Sequence, residues 1–173
     1  KVVGEPKREV QLDTLLDLET PGIEKLRLSP RDIGNGEAPL APRRDFALLG
    51  ADAEYLDRVK LRWESIEEDD QRRWLVIHNY PVPAGYAVSR TLLALEVPPT
   101  YPAAQIYGFY VYPPLQLTSG REIPSTQMRG TIRKKEFHGW SRNRGAVGWN
   151  AAVDNVVTQL ALVEAALAKE VGE

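Results

Sequence analysis

The sequence contains no cysteine. Disulfides, thiolate metal sites and thiol catalysis are therefore excluded for these residues. Long apolar runs are also lacking, since no stretch reaches the ~20 residues that a membrane-spanning helix needs, and no signal peptide is visible. The formal net charge is only −2, which gives no general attraction to nucleic acid or to an anionic membrane. We therefore expect a cytoplasmic protein that does not bind membranes and has no cofactor.

Histidine is scarce as well, with His78 and His138 as the two copies. Two histidines without cysteine and without i, i+4 spacing make no zinc site, so no metal is predicted. His78 lies within an apolar strand pattern and is expected to be structural. His138 lies beside Gly139 in a segment predicted to be an irregular loop. It is a candidate general base for an incoming lysine or a candidate anchor for a partner's tail, and a purely structural role also stays open.

Residues 92–115 form the central stretch of the sequence and predict two strands joined by a proline corner. The first strand carries apolar side chains on both faces, which is typical of a central position in a sheet. The second is rich in β-branched and aromatic residues. Between them, Pro98-Pro99 and Pro102 remove backbone donors, so no regular ladder can run through the corner. The stretch therefore predicts two core strands with a rigid bend between them.

The remaining elements predict an α+β fold built on a four-stranded antiparallel meander with flanking helices. Residues 61–67 and 72–80 form a predicted hairpin, and residues 87–97 and a short fourth strand follow it. Residues 53–60 predict a short helix capped by Asp52 that buries Leu56 and Val59. A long C-terminal helix capped by Asn150 carries apolar residues at helical spacing, and Gln159, Glu164 and Lys169 are expected on its outer face. Its apolar residues are Val153, Val156, Val157, Leu160, Val163 and Leu167.

The order of these motifs resembles the ubiquitin-conjugating (E2, or UBC) fold. A strand ending in Pro-x-x-Tyr-Pro, an apolar strand leaving the sheet at Pro113-Pro114, a turn at Gly120 and a long amphipathic helix follow one another. More closely, residues 44–170 are similar to the bacterial E2-like proteins called prokaryotic E2 family E. The motifs that carry this similarity are Trp74-Leu75-Val76-Ile77, Pro83-x-Gly85-Tyr86, Tyr101-Pro102 and Trp140-Ser141-Arg142.

The resemblance implies an E2-like component of a bacterial ubiquitin-like protein conjugation system. In such a system the expected partners are a ubiquitin-like protein, an E1-like adenylating enzyme and a JAB-type protease. A role in antiphage defence is a further expectation from the same resemblance.

The chemistry of an E2 is expected just after the second core strand, and here it departs from the family pattern. Pro113-Pro114 stands where an E2 has His-Pro-Asn, and Glu122, Ile123 or Pro124 stands where the acceptor cysteine would be. An E2 needs a thiolate because serine holds an acyl group as a much more inert ester. Two explanations stay open. Either the chain is a naturally cysteine-free module that binds or presents the ubiquitin-like protein, or a native cysteine has been replaced, with Ser119 and Ser125 as the candidate positions.

Residues 121–144 are locally basic, with seven arginines and lysines against two glutamates. We predict that this segment contacts a partner, either an acidic protein surface or the C-terminal carboxylate of a ubiquitin-like protein. The alternative is a basic-loop nucleic-acid-binding module with Phe137 and Trp140 as stacking surfaces, which the acidic chain makes the weaker choice. A basic loop without a dedicated ligand also stays open. The predicted partner-binding residues are Arg133, Lys134, Lys135, Trp140 and Arg142.

The N-terminal residues 1–31 predict two short strands around the turn Thr20-Pro21-Gly22. This order resembles the end of a bacterial β-grasp domain of the multi-ubiquitin type. An arm that pairs with a sheet edge is the alternative. Residues 32–44 combine glycine and proline with polar residues and predict a linker, which places the E2-like domain at residues 45–173.

Overall fold

The computed structural model describes residues 41–172. The predicted N-terminal arm or β-grasp segment and most of the predicted linker lie outside the described residues. The described residues form two helices and one antiparallel sheet. Neither helix is long and apolar enough to cross a bilayer. The elements are α1 (Gly50–Arg58), β1 (Trp63–Glu67), β2 (Arg73–Pro81), β3 (Arg90–Glu96), β4 (Phe109–Tyr112), β5 (Met128–Ile132), β6 (Lys135–Trp140) and α2 (Val156–Glu170).

The sheet has six strands in the order β1-β2-β3-β4-β6-β5, rather than the four predicted. The two additional strands form a hairpin in the segment that was expected to be irregular, so His138 lies on strand β6 and not in a loop. The hairpin turn is made by Arg133 and Lys134, which both take positive φ, at 52° and 68°. Two-residue hairpin turns need such angles and usually use Asn and Gly. The usual turn signal is therefore missing from the sequence here.

The sheet curls so that its two ends meet over a second, smaller core. One face packs against both helices, while the other carries a cluster centred on Trp74 and Phe137. Strand β5 is at one edge of the sheet and β2 is next to the other edge, yet a Cβ added to Gly130 of β5 would lie 2.4 Å from the Trp74 ring of β2. Only glycine allows so close an approach of the two strands.

Charged groups from both ends of the sheet meet at the closure. The Arg133 guanidinium lies 2.9 Å from the carboxylate of Glu64 on β1, and the Arg133 backbone N–H donates to Glu68 at 2.8 Å. These contacts explain why the turn uses an arginine at a position that favours asparagine or glycine.

Helix α1 begins at Gly50, and Leu49 rather than Asp52 precedes it, so the predicted cap is wrong. Asp52 is buried in the first turn of the helix, where its carboxylate accepts a hydrogen bond from the Tyr101 hydroxyl. Burial raises the pKa of Asp52, against the opposing effect of this hydrogen bond. Leu56 is buried as predicted, whereas Val59 follows the helix and is 42% exposed. The carboxylate is thus used to connect α1 to the proline corner.

Helix α2 begins five residues later than predicted, at Val156. Asn155 is its cap. The Asn155 side chain accepts from the Thr158 backbone N–H at 3.1 Å, and Thr158 Oγ1 accepts from the Asn155 backbone N–H at 2.9 Å, which is a reciprocal capping box. The Asn150 side chain instead closes a turn by accepting from Ala152 N–H at 2.9 Å. The first predicted core residue, Val153, is exposed as a consequence.

Gln159 is fully buried, although it was expected on the outer face of α2. Its amide donates to the Gly108 carbonyl at 2.8 Å and accepts from Arg144 at 2.6 Å. A buried amide is tolerated when both of its ends are bonded, and these partners come from distant parts of the sequence. Glu164 and Lys169 are exposed as predicted.

Candidate functional site

A cavity of about 540 Å³ lies where the chain leaves strand β4. The chain exits at Pro113-Pro114, with a cis bond between Tyr112 and Pro113, and passes over the sheet through residues 115–127 before it enters β5. Buried Leu115 and Leu117 anchor the start of this segment to the core. The space between the segment and strand β6 is the cavity. Its walls include Leu115, Leu117, Arg121, Ile123, His138 and Trp140.

His138 reaches the cavity from the sheet side. It lies opposite Val111 of β4 and Arg129 of β5, on the same face of β6 as Trp140. Its imidazole is half-buried, lines the cavity and makes no hydrogen bond to another described residue. Both ring nitrogens therefore remain able to bond a ligand in the cavity.

The two candidate serines lie on the segment that covers the cavity, but they do not line it. Ser119 is exposed, and its hydroxyl accepts from the Arg121 backbone N–H at 3.2 Å in the turn that contains Gly120. Ser125 is exposed at φ 59°, and its carbonyl accepts from Ser141 N–H at 2.9 Å. Within residues 41–172, neither hydroxyl bonds to His138, so these groups do not form a nucleophile and base pair.

The predicted partner-binding residues divide between two places in the structure. Lys134 and Lys135 are exposed at the tip of the β5–β6 hairpin, and neither forms an ion pair with a described residue. Arg133, at the same tip, bonds to Glu64. At the other end of β6, Trp140 is only 1% exposed and the Arg142 guanidinium lies 4.8 Å from its ring centroid.

Sequence reasoning missed one ionic arrangement beside the cavity. The Glu170 carboxylate, with its side chain only 9% exposed, lies between Arg121 at 3.1 Å and Arg142 at 3.2 Å. Glu170 belongs to the last turn of α2, whereas the two arginines lie on the covering segment and just after β6. The basic segment was visible in the sequence, but nothing in the sequence indicated which acidic residue it would meet.

His78 has different surroundings from His138. Its Nε2 lies 2.9 Å from Glu64, whose side chain is 1% exposed and also accepts from the Arg43 backbone N–H at 3.0 Å and from Arg133. Burial by itself would raise the pKa of Glu64, but these three donors outweigh it and lower the pKa to about 2. Burial lowers the pKa of His78, against the hydrogen bond to Glu64. The Glu64 carboxylate and the His78 imidazole therefore find hydrogen-bond partners within the protein.

No group of three or more histidine, aspartate and glutamate side chains able to hold a metal ion occurs in the described part of the chain. No curated protein and no solved structure matches the sequence. The model of a family described as Prokaryotic E2 family E matches residues 48–170, a range that contains all six strands and both described helices. This match covers most of the sequence, and the chain therefore belongs to the prokaryotic E2 family E.

Proposed function

We propose that this protein is an E2-like component of a bacterial ubiquitin-like conjugation system that binds or presents the ubiquitin-like protein without carrying it covalently. The family supports an E2-like role in ubiquitin-like conjugation. The finer proposal depends on one observation: the cavity after Pro113-Pro114 is walled by His138 but contains no thiol and no nucleophile paired with a base. Such a cavity suits binding rather than acyl transfer.

The chemistry of acyl carriage explains why this distinction matters. A thioester carrier needs a thiolate that attacks and leaves readily at neutral pH. Of the positions where an E2 cysteine would be expected, Ile123 faces the cavity with an unreactive side chain, and Glu122 is an exposed carboxylate beside it. An extended tail in the cavity would contact both apolar and polar side chains, among them the His138 imidazole, which could hydrogen-bond to its backbone.

The hairpin tip offers a second contact for the same partner. Lys134 and Lys135 are exposed and not neutralised by a described carboxylate, so they supply positive charge for docking an acidic protein surface. We propose a ubiquitin-like protein as this partner. An E1-like enzyme, a JAB-type protease, a cytoplasmic location and a role in antiphage defence belong to the same proposal.

The test is a quantitative binding measurement between the full chain and the ubiquitin-like protein encoded with it. The Lys134→Glu, Lys135→Glu double variant is expected to bind at least about tenfold more weakly, with the loss shrinking as salt is added. Arg133 is left unchanged, because a carboxylate at that position would face the buried Glu64. The matched control is Lys60→Glu with Arg62→Glu, which makes the same charge change at exposed residues outside the basic segment.

Equal weakening of binding by the control would contradict docking at the hairpin tip, since it would show that the loss comes from the change in net charge and not from its position. A second variant, His138→Gln, tests the cavity. Weaker binding with an unchanged fold supports the proposal, and unchanged binding contradicts a tail in the cavity.

The two other hypotheses from the sequence remain open to simple tests. Phe137 and Trp140, the predicted base-stacking surfaces, are only 2% and 1% exposed, so side-chain placement gives no support to the nucleic-acid hypothesis. The hypothesis of a replaced cysteine is decided by the native gene sequence around Ser119 and Ser125.

A further inference from the structure

Two guanidinium groups, from Arg121 and Arg142, contact opposite oxygens of the Glu170 carboxylate. Arg121 Nη2 lies 3.1 Å from Glu170 Oε1, and Arg142 Nη2 lies 3.2 Å from Oε2. Arg121 Nη2 also donates to the Glu170 backbone carbonyl, at the C-terminal end of α2. Guanidinium groups bind carboxylates with strong, directional hydrogen bonds. The geometry is that of a carboxylate-binding site that is already filled.

This filled site borders the cavity beside His138. Arg121 lines that cavity and also a second one of about 430 Å³, which Glu170 lines with it. Arg121 is thus a shared wall between the two spaces. Its side chain is 52% exposed, so its guanidinium is accessible beside the larger cavity.

The second arginine is held in place by other contacts. The Arg142 guanidinium stacks 4.8 Å from the Trp140 ring centroid and donates to the Ser125 carbonyl at 3.4 Å. Trp140 is itself part of the cavity wall. The Arg142 position therefore does not depend on Glu170 alone, and the site would persist if the occupant changed.

We propose that Arg121 and Arg142 form a carboxylate-binding site in which Glu170 is the resident occupant, and that the C-terminal carboxylate of a protein partner replaces it. The identity of that partner rests on the proposed function, but the carboxylate chemistry does not. Because Glu170 contacts both arginines in the structure, an incoming carboxylate would bind only to the fraction of molecules in which these contacts are released. Its apparent affinity is lowered by that fraction.

The test uses N-acetylglycine, which carries the terminal carboxylate of a peptide chain, and its neutral twin N-acetylglycinamide. The arginine Nε–H signals of the full 15N-labelled chain are followed by NMR during titration. Glu170→Gln removes the resident charge and keeps the side-chain shape, so it is expected to bind N-acetylglycine about tenfold more tightly than the unchanged protein. Glu164→Gln, an exposed change on the same helix, should leave the affinity unchanged. The amide should shift neither arginine signal in any of these proteins.

Equal affinities in the Glu170→Gln and unchanged proteins would overturn the proposal, and so would equal responses to the acid and the amide. If Glu170→Gln does not fold, Arg121→Gln decides the question. Arg121 is exposed, and its replacement should abolish the weak response of the unchanged protein at the Arg142 signal. A response that persists would overturn the proposal. Since no protein partner is present, this titration can fail while partner binding is confirmed, and the reverse outcome is also distinguishable.

Discussion

His78 and His138 lie on strands of the same sheet, but only His78 has a hydrogen-bond partner among the described residues. His78 bonds to Glu64 at 2.9 Å, inside a cluster completed by Arg133 from the far end of the sheet. His138 faces a cavity of about 540 Å³ and bonds to no described residue. A buried polar group that is satisfied internally stabilises the fold, whereas an unsatisfied one beside open space is available to a ligand. We therefore interpret the first histidine as structural and propose the second as a binding group.

The largest expected effect comes from separating the two ends of the sheet that meet near His78. In Gly130→Ala, the added Cβ would lie 2.4 Å from the Trp74 ring, so one strand must move away from the other. We expect the free energy of unfolding to fall by about 2–3 kcal/mol, as is usual when a packed core is overfilled. Urea unfolding measures this.

Gly50→Ala is the matched control, since nothing lies within 4 Å of its added Cβ and the position is in helix α1. It should leave stability unchanged or raise it slightly. A Gly130→Ala protein as stable as this control would contradict the closed sheet.

Acid should weaken the His78 cluster next. Because folding lowers the pKa of Glu64 from 4.5 to about 2, its contribution is complete above pH 4.5 and is lost as pH falls toward 2. The loss should be on the order of 2 kcal/mol. Folding also lowers the pKa of His78 from 6.5, so its contribution declines in the same direction once pH drops below about 6.5.

Urea unfolding at several pH values between 7 and 3 compares the unchanged protein with Glu64→Gln. The variant should lose less stability below pH 4.5, since its amide does not titrate. Parallel curves for the two proteins would show that Glu64 is not the group responsible.

The smallest expected effect is the difference in stability between variants of the two histidines. His78→Gln should lower the free energy of unfolding by about 1 kcal/mol, because it alters a hydrogen bond to a buried carboxylate. His138→Gln should change stability by less than about 0.5 kcal/mol, since no internal bond is lost. Thermal or urea unfolding of the two variants side by side checks this. Equal destabilisation would remove the contrast between a structural and an available histidine.

Local patterns were sufficient for much of the fold. The hairpin of β1 and β2 was predicted from the strand-like segments 61–67 and 72–80, and the central strands were predicted from the apolar stretch with its proline corner. The family was predicted from the order of its motifs. Each of these signals lies within a short segment, so it can be recognised from one sequence without knowledge of distant contacts.

The second hairpin was missed because its signal is weak locally. Met128, Gly130 and Ile132 do alternate with polar residues, but one of the three is glycine and the turn residues are Arg133 and Lys134. What makes this hairpin stable lies elsewhere in the chain, in Trp74 and Glu64. No periodicity in residues 121–144 can reveal those contacts.

The candidate site was predictable only in its location. The exit at Pro113-Pro114 and the basic segment pointed to the region where the structure has the cavity of about 540 Å³, and His138, which lines it, was a predicted candidate. The division of the basic residues was not predictable, because it depends on which acidic side chain each one meets. Glu64 meets Arg133, and Glu170 meets Arg142, across separations that sequence alone does not show.

The most direct test of the central claim is an ATP-dependent charging assay. The unchanged protein is mixed with the E1-like and ubiquitin-like proteins encoded with it and examined both by native mass measurement and after denaturation. Non-covalent binding predicts a complex under native conditions that separates completely on denaturation, leaving each chain at its own mass. A covalent adduct on this chain that survives denaturation would contradict the claim, because it would make the protein a carrier.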